Sequence, residues 1–191
     1  MIRTQSLQVR KQQVVRDAIW DAAVGLFAAN GYDRTTIEEI ALAAGVSRRN
    51  FFRYFSSKDD LLVQSMATYG KLLSDAILGC PARSSQVQVM KQAVLEVAQA
   101  AVAHPRIRQL LAIANDSTSA QAALASASAS VEQTVAGAFA TRLPQDDFHP
   151  LLLSVLTVAI LNMVVSWWGK HPRRNISVLV ERAFTLLTSL R

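Results

Sequence analysis

The chain has 191 residues, and 20 lysines and arginines against 14 aspartates and glutamates give it a formal net charge of +6. Hydrophobic residues make up 51% and charged residues 18%, which excludes a disordered chain and allows one or two domains with an ordinary core. The single cysteine, Cys80, excludes an internal disulfide and a cysteine-rich metal site. The excess of positive charge makes a polyanionic partner worth considering.

The N-terminal part of the sequence predicts four helices, the second and third of them short. Gly31 and Gly45 each follow an apolar run of helical period, and glycine just past a helix is a stop signal. Thr36 with Glu39 three residues later has the form of a capping box, and Ser47 is a second N-cap candidate. The predicted helices cover residues 9–30, 36–44, 47–55 and 58–78.

Beyond Gly79-Cys80-Pro81 alanine, valine, leucine and serine dominate and charges become sparse. Prolines mark the joints between apolar stretches of helical length, and no segment alternates with the period of a strand. The sequence therefore predicts an all-α protein of about nine helices. The helices predicted for this part cover residues 85–103, 105–114, 118–142, 147–169 and 176–190.

The segment from Phe148 to Gly169 contains no charged residue and is long enough to cross a bilayer. Trp167 and Trp168 at its end resemble an interfacial aromatic belt. A helix buried on all sides within a soluble protein needs the same apolar circumference. This segment alone leaves both interpretations open.

The second and third predicted helices, joined by Gly45-Val46, have the spacing of a helix-turn-helix. Arg48 and Arg49 lie in the first turn of the third helix, where a recognition helix meets base edges, and Phe52 shares the face of Arg48. Arginine binds guanine through two hydrogen bonds, and an aromatic ring can contact thymine methyl groups. A solvated basic face on a small helical bundle is the alternative interpretation.

Other polar side chains of this region are suited to hold phosphates. Arg53, Tyr54 and Lys58 can reach the DNA backbone, and the N–H groups at Thr36 and Lys58 lie at predicted helix N-termini. The predicted DNA-binding residues are Thr36, Ser47, Arg48, Arg49, Asn50, Phe52, Arg53, Tyr54 and Lys58.

Residues 31–62, with Thr36-Ile37-Glu38-Glu39-Ile40-Ala41 and later Phe55-Ser56-Ser57-Lys58-Asp59-Asp60-Leu61, resemble the signature of the tetracycline-repressor-type (TetR) family. The resemblance implies a homodimeric, cytoplasmic, bacterial DNA-binding regulator, usually a repressor that a small molecule releases from a palindromic operator. It also implies a helix-turn-helix DNA-binding domain over residues 1–57 and a helical ligand-binding and dimerisation domain over residues 58–191. Arg49 departs from the family, in which the residue after Ser47-Arg48 is often small.

The C-terminal half is expected to hold a pocket and an interface. The last two predicted helices, 147–169 and 176–190, could form a four-helix bundle with a second copy across a two-fold axis, without a membrane. Few polar groups occur there, which indicates a small apolar effector. The arrangement also resembles that of family members that bind acyl-CoA-like compounds, which implies an acyl-type effector. The candidate ligand-binding residues are Met66, Tyr69, Leu73, Val97, Ala101, Leu110, Ile113, Asn162, Met163 and Trp167.

A small all-α enzyme or a membrane-associated helical protein is the alternative function. His104, His149 and His171 each lie next to a proline-marked joint, and the sequence contains no glycine-rich phosphate loop and no nucleophile elbow. We therefore predict no catalytic residue, no metal site and no cofactor.

Overall fold

The computed structural model describes residues 7–104, 109, 111, 113, 117–144 and 147–189. These residues form eight α-helices and no strand. The helices are α1 Leu7–Asn30, α2 Ile37–Ala43, α3 Arg48–Phe51, α4 Lys58–Gly79, α5 Gln86–Ala103, α6 Thr118–Arg142, α7 Phe148–Lys170 and α8 Ile176–Ser189. The helix predicted over residues 105–114 lies mostly outside the described residues.

The first three helices pack around a small aromatic and aliphatic core. Phe27 of α1, Ile40 of α2 and Phe51 of α3 are fully or almost fully buried in it. The same core extends to Leu61 and Leu62 of α4. Burying a side chain of this size contributes about 1.5–3 kcal/mol, so α4 begins as part of the N-terminal core.

The remaining helices form a second core in which α4 and α6 run parallel. Gly70 of α4 lies against Val131 of α6, where a Cβ atom would be 3.4 Å from the valine methyl groups. Beyond that point the Arg142 guanidinium donates to the carbonyl oxygen of Cys80, 2.7 Å away. The residues of α6 just before Val131, from 122 to 130, are alanine and serine apart from Leu124.

Helices α5, α7 and α8 complete the second core. Lys91 of α5 contacts Glu181 of α8 at 2.7 Å, and Gln99 contacts Ser177 at 2.9 Å. Along α5 the residue numbers of these contacts rise while those of their partners on α8 fall, so the two helices are antiparallel. Surface pairs of this kind add little stability. The bundle is held together mainly by the buried side chains of the second core.

The third helix is shorter than predicted. The α-helix spans Arg48–Phe51 and not residues 47–55. A tighter turn follows α3. In it the Tyr54 backbone N–H donates to the carbonyl oxygen of Phe51, three residues earlier, at 2.9 Å. Phe51 and Phe55 are both buried in the core. The tighter turn therefore places the two rings in the core, as the predicted regular helix would have done.

Candidate nucleic-acid interface

The predicted caps and turns position α2 and α3. The Thr36 hydroxyl accepts from the Glu39 backbone N–H at 3.2 Å, and the Glu39 carboxylate accepts from the Thr36 backbone N–H at 2.8 Å. Both hydrogen bonds of the capping box are therefore present and confirm that prediction. Gly45 has a φ of +67°, the left-handed conformation in which glycine is least strained.

Helix α3 presents its polar side outward because its apolar side is fixed in the core. The Ser47 hydroxyl accepts from the Asn50 backbone N–H at 3.1 Å and so begins the helix. Phe51 is fully buried, whereas Arg48 and Arg49 are exposed and the Phe52 ring is 44% exposed. The three predicted base-reading side chains therefore lie on the solvent side of α3.

Arg48 is held by two neighbours on this surface. Its Nε atom lies 2.7 Å from a carboxylate oxygen of Glu38 on α2, and both side chains are more than 60% exposed. Its guanidinium carbon lies 5.3 Å from the centre of the Phe52 ring. An exposed ion pair contributes about 0–1 kcal/mol, so Arg48 can exchange Glu38 for another hydrogen-bond acceptor at small cost.

Asn50, Arg53 and Tyr54 form a second polar group. Arg53 donates to the Asn50 amide oxygen at 3.3 Å, and its guanidinium lies 5.8 Å from the Tyr54 ring centre. Arg53 is exposed, whereas Asn50 and Tyr54 are half-buried. The arrangement leaves the Arg53 charge on the surface and uses Asn50 to orient it.

Lys58 occupies a more constrained place than sequence reasoning expected. Its ammonium group donates to the backbone carbonyls of Tyr32 at 2.7 Å, Thr35 at 3.3 Å and Asp33 at 3.4 Å. It also lies 4.4 Å from the centre of the Tyr32 ring. An ammonium has three donors, so these carbonyls occupy the contacts that a phosphate would need. Through these hydrogen bonds Lys58 holds the start of α4 against the loop between α1 and α2.

Two further residues of that loop, which sequence reasoning missed, connect it to other helices. The Tyr32 hydroxyl donates to Asp59 of α4, and burial and this carboxylate raise the pKa of Tyr32 well above its usual range. The hydroxyls of Ser119 and Ser117, at the start of α6, donate to Asp33 and lower its pKa. No spacing rule links residues so far apart in the sequence, so these contacts could be found only in the folded chain.

A cavity of about 120 Å³ lies between α4, α5, α6 and α7. It includes five of the predicted ligand-binding residues, Met66, Tyr69, Ala101, Ile113 and Asn162. The other lining side chains are Leu62, Ser65, Leu111, Leu124, Leu161 and Val165. Leu62, Ser65, Met66 and Tyr69 recur at three and four residues along α4, a period that could have identified Leu62 and Ser65 from the sequence.

The structure does not place the other predicted ligand-binding residues on this cavity. Leu73 and Val97 are fully buried in the C-terminal core, where they pack against other side chains. Met163 and Trp167 lie on the outer face of α7 and are about half exposed. Leu110 lies outside the described residues.

Comparisons with known proteins bear on the N-terminal part of the chain. Residues 19–64 match the sequence profile of the family described as "Bacterial regulatory proteins, tetR family". The HTH-type transcriptional regulator TcmR of Streptomyces glaucescens is 36% identical over 87 residues, which are 46% of this chain and 38% of TcmR. The biofilm operon icaADBC HTH-type negative transcriptional regulator IcaR of Staphylococcus aureus is 31% identical over 64 residues, 34% of each chain. The alignments thus cover well under half of either relative.

Solved structures resemble the chain over almost its whole length. The transcriptional regulator FadR from Bacillus subtilis, solved in complex with stearoyl-CoA, superposes with a TM-score of 0.62 at 16% identity. The superposition covers 90% of this chain and 97% of FadR. Similarity at this identity establishes the fold and confirms the predicted all-α architecture. The three proteins compared are named as regulators, in agreement with the prediction that the chain is not an enzyme.

Proposed function

We propose that the chain is a ligand-responsive transcriptional regulator of the tetR family of bacterial regulatory proteins, whose profile its residues 19–64 match. The observation that carries the proposal is the outward placement of Arg48, Arg49 and Phe52 on a capped helix that follows a glycine turn. In this proposal α3 enters the major groove of an operator. Residues 1–57 form the DNA-binding domain, and residues 58–191 form the ligand-binding and dimerisation domain.

The DNA-binding residues divide into two groups. Arg48, Arg49 and Phe52 read base edges, because they are exposed at the start of α3. The DNA backbone is held by Thr36, Ser47, Asn50, Arg53 and Tyr54, and Lys58, which the sequence had placed with them, supports their position. Within this second group Arg53 supplies an exposed charge for a phosphate, whereas Lys58 positions the N-terminus of α4.

A homodimer through α7 and α8 gives the protein two recognition helices. The outer faces of these helices expose large apolar side chains, an arrangement that marks an interaction surface. They are Phe148, Leu151, Leu152, Val155, Met163 and Trp167 on α7, and Val178 and Leu186 on α8. Covering these faces with a second copy forms a four-helix bundle, and its two-fold symmetry matches a palindromic operator.

The apolar face of α7 also explains why that helix resembles a membrane span. Among the described residues α7 is the helix long and apolar enough to cross a membrane, with a mean hydropathy of 2.1, and 39% of its most apolar window is buried within the chain. One side of α7 lies in the C-terminal core. The other side faces the second subunit in our proposal, so the protein is cytoplasmic and needs no membrane.

The cavity is the proposed effector site, and its position supports a repressor that the effector releases from DNA. Leu62 lines the cavity and is also part of the core that holds α2 and α3. A ligand that displaces the start of α4 therefore moves the recognition helix directly. IcaR is named as a negative regulator and FadR was solved with stearoyl-CoA, which supports repression and an acyl-type effector here.

Band-shift titration with fragments from the region upstream of the chain's own gene tests this function. Wild type should bind one fragment, Arg48→Ala should bind it more weakly, and both should have the same melting temperature. A ligand found by thermal-shift screening should lower operator affinity by a coupling of about 1–3 kcal/mol, and operator DNA should lower ligand affinity by the same factor. Equal ligand affinity for free and DNA-bound protein would contradict the release mechanism.

A further inference from the structure

A groove between α1 and α4 lies next to the cavity, and the two share lining residues. Ser65 and Tyr69 of α4 line both spaces. The groove has a volume of about 360 Å³ and is bordered by Arg16 and Trp20 of α1, by Gln64 of α4 and by His104 at the end of α5. The cavity is lined mainly by aliphatic side chains, whereas most of the groove residues are polar. One ligand could therefore occupy an apolar and a polar compartment together.

The groove is lined by an arginine, Arg16, and by an acid, Asp17, and these two side chains form no ion pair with each other. Arg16 donates to the Gln64 side-chain oxygen, and its guanidinium lies 5.6 Å from the Phe55 ring centre. Within the part of the chain that the structure describes, it forms no ion pair. The adjacent Asp17 accepts from Gln13 at 2.7 Å. An arginine with these contacts can still donate two parallel hydrogen bonds to a carboxylate or a phosphate.

Tyr69 lies between the cavity and the groove, and its hydroxyl is available to a ligand. The side chain is half-buried, and its hydroxyl makes no hydrogen bond with another described residue. Burial raises the pKa of Tyr69, so the group remains a neutral donor. A hydroxyl in this position can donate a hydrogen bond to a ligand that passes from the cavity into the groove.

We propose that the effector is an amphipathic anion whose apolar chain fills the cavity and whose carboxylate or phosphate head lies in the groove against Arg16. The inference rests on the proposed ligand-responsive function and specifies its ligand class. The head contacts α1, the tail contacts Leu62 and Met66 of α4, and the ligand thereby bridges helices of the DNA-binding domain and of the bundle.

Isothermal titration of the full-length protein with three ten-carbon probes tests the proposal: decanoate, monodecyl phosphate and decanol. Wild type should bind both anions more tightly than decanol. Arg16→Gln should weaken binding of both anions by about tenfold or more, since it removes a charge-assisted contact, and should change decanol binding by less than about twofold. Arg10→Gln is the matched control, because Arg10 is an exposed arginine on the same helix that does not line the groove.

Three results would overturn the proposal: equal loss of anion and alcohol binding in Arg16→Gln, no difference between Arg16→Gln and Arg10→Gln, or no binding of any probe. If only one of the two anions responds to Arg16→Gln, that result identifies the head group and supports the proposal. A band-shift assay with each variant is scored separately. Operator binding that persists while no probe binds would refute the ligand class and leave the DNA-binding function intact.

Discussion

Arg48 is a side chain with two alternative partners. In the folded chain it pairs with Glu38 at 2.7 Å, and in the proposed complex it pairs with a base edge. We predict that Arg48→Ala relaxes specificity at one base position and costs about 1–3 kcal/mol of discrimination there. Affinity for a panel of operators, each with one altered base pair, measures this effect.

Arg53→Ala is the matched comparison for Arg48→Ala. Because Arg53 is proposed to contact a phosphate, its loss should weaken binding to all sequences alike and reduce the salt dependence by about one unit. The same base-pair profile and the same salt slope for both variants would refute the division between base-reading and backbone-holding residues.

Lys58 illustrates how a basic residue can serve the fold and not the DNA. Its three contacts with the backbone carbonyls of Tyr32, Asp33 and Thr35 involve a charged donor in a half-buried position. Lys58→Met should therefore lower the free energy of unfolding by about 1.5–3 kcal/mol. Urea denaturation followed by circular dichroism measures the change.

Lys71→Met provides the control for Lys58, since Lys71 lies on the same helix and its ion pair with Asp75, at 2.6 Å, is on the surface. Its substitution should change the free energy of unfolding by less than about 0.5 kcal/mol. If Lys58→Met instead retained full stability and lost affinity for all DNA sequences, Lys58 would be a phosphate contact as the sequence suggested.

At the scale of the element, α2 depends on its capping box. Hydrogen bonds from the Thr36 backbone and hydroxyl lower the pKa of Glu39 below its ordinary value of 4.5. The folded state thus favours the carboxylate, so this contribution to stability is present above the ordinary pKa and is lost as the pH falls through the folded pKa.

We predict that the stability advantage of wild type over Glu39→Gln shrinks as the pH is lowered from 6 to 3. Glutamine keeps the shape of the side chain and removes its titration. Denaturation midpoints at several pH values measure the effect, with Glu96→Gln on α5, outside any helix cap, as the control. A pH-independent difference between wild type and Glu39→Gln would contradict the assigned role of the carboxylate.

Helix α4 couples the two cores over a short distance. Leu62 and Tyr69, which both line the cavity, lie only four and eleven residues after Lys58. At a rise of about 1.5 Å per residue, the cavity lies near the N-terminus of α4, next to the DNA-binding domain. It does not lie at the C-terminal end of that helix. A small displacement at the cavity can therefore reach α3 through direct packing.

For the whole molecule, the exposed faces of α7 and α8 predict the oligomeric state. Val155→Glu places a charge in the proposed interface and should convert a dimer into a monomer of 20.9 kDa. Multi-angle light scattering measures the mass. Leu78→Glu is the control, because Leu78 is exposed to the same extent, 47% against 48% for Val155, but lies on α4.

The monomeric variant should also bind a palindromic operator much more weakly, because one short helix contacts too few bases. A wild-type protein that is monomeric in solution and still binds the palindrome tightly would refute the dimer proposal.

The sequence alone determined the features that depend on neighbouring residues. The caps at Thr36 and Ser47, the glycine turn at Gly45 and the bounds of α6 follow from side chains three or four positions apart. Local hydrogen bonding and helical period control these features, so they can be inferred without knowledge of the fold. The outward position of Arg48 follows from the same period.

Contacts between groups that are distant in the sequence depend on how the helices pack. Glu38 reaches Arg48 across the turn, the loop carbonyls occupy the donors of Lys58, and Leu73 packs in the core while Ser65 lines the cavity. Helical period identifies the face of a side chain but not what packs against that face. The opposing surface is supplied by helices that are remote in sequence, and their packing determines which face becomes core, cavity or interface.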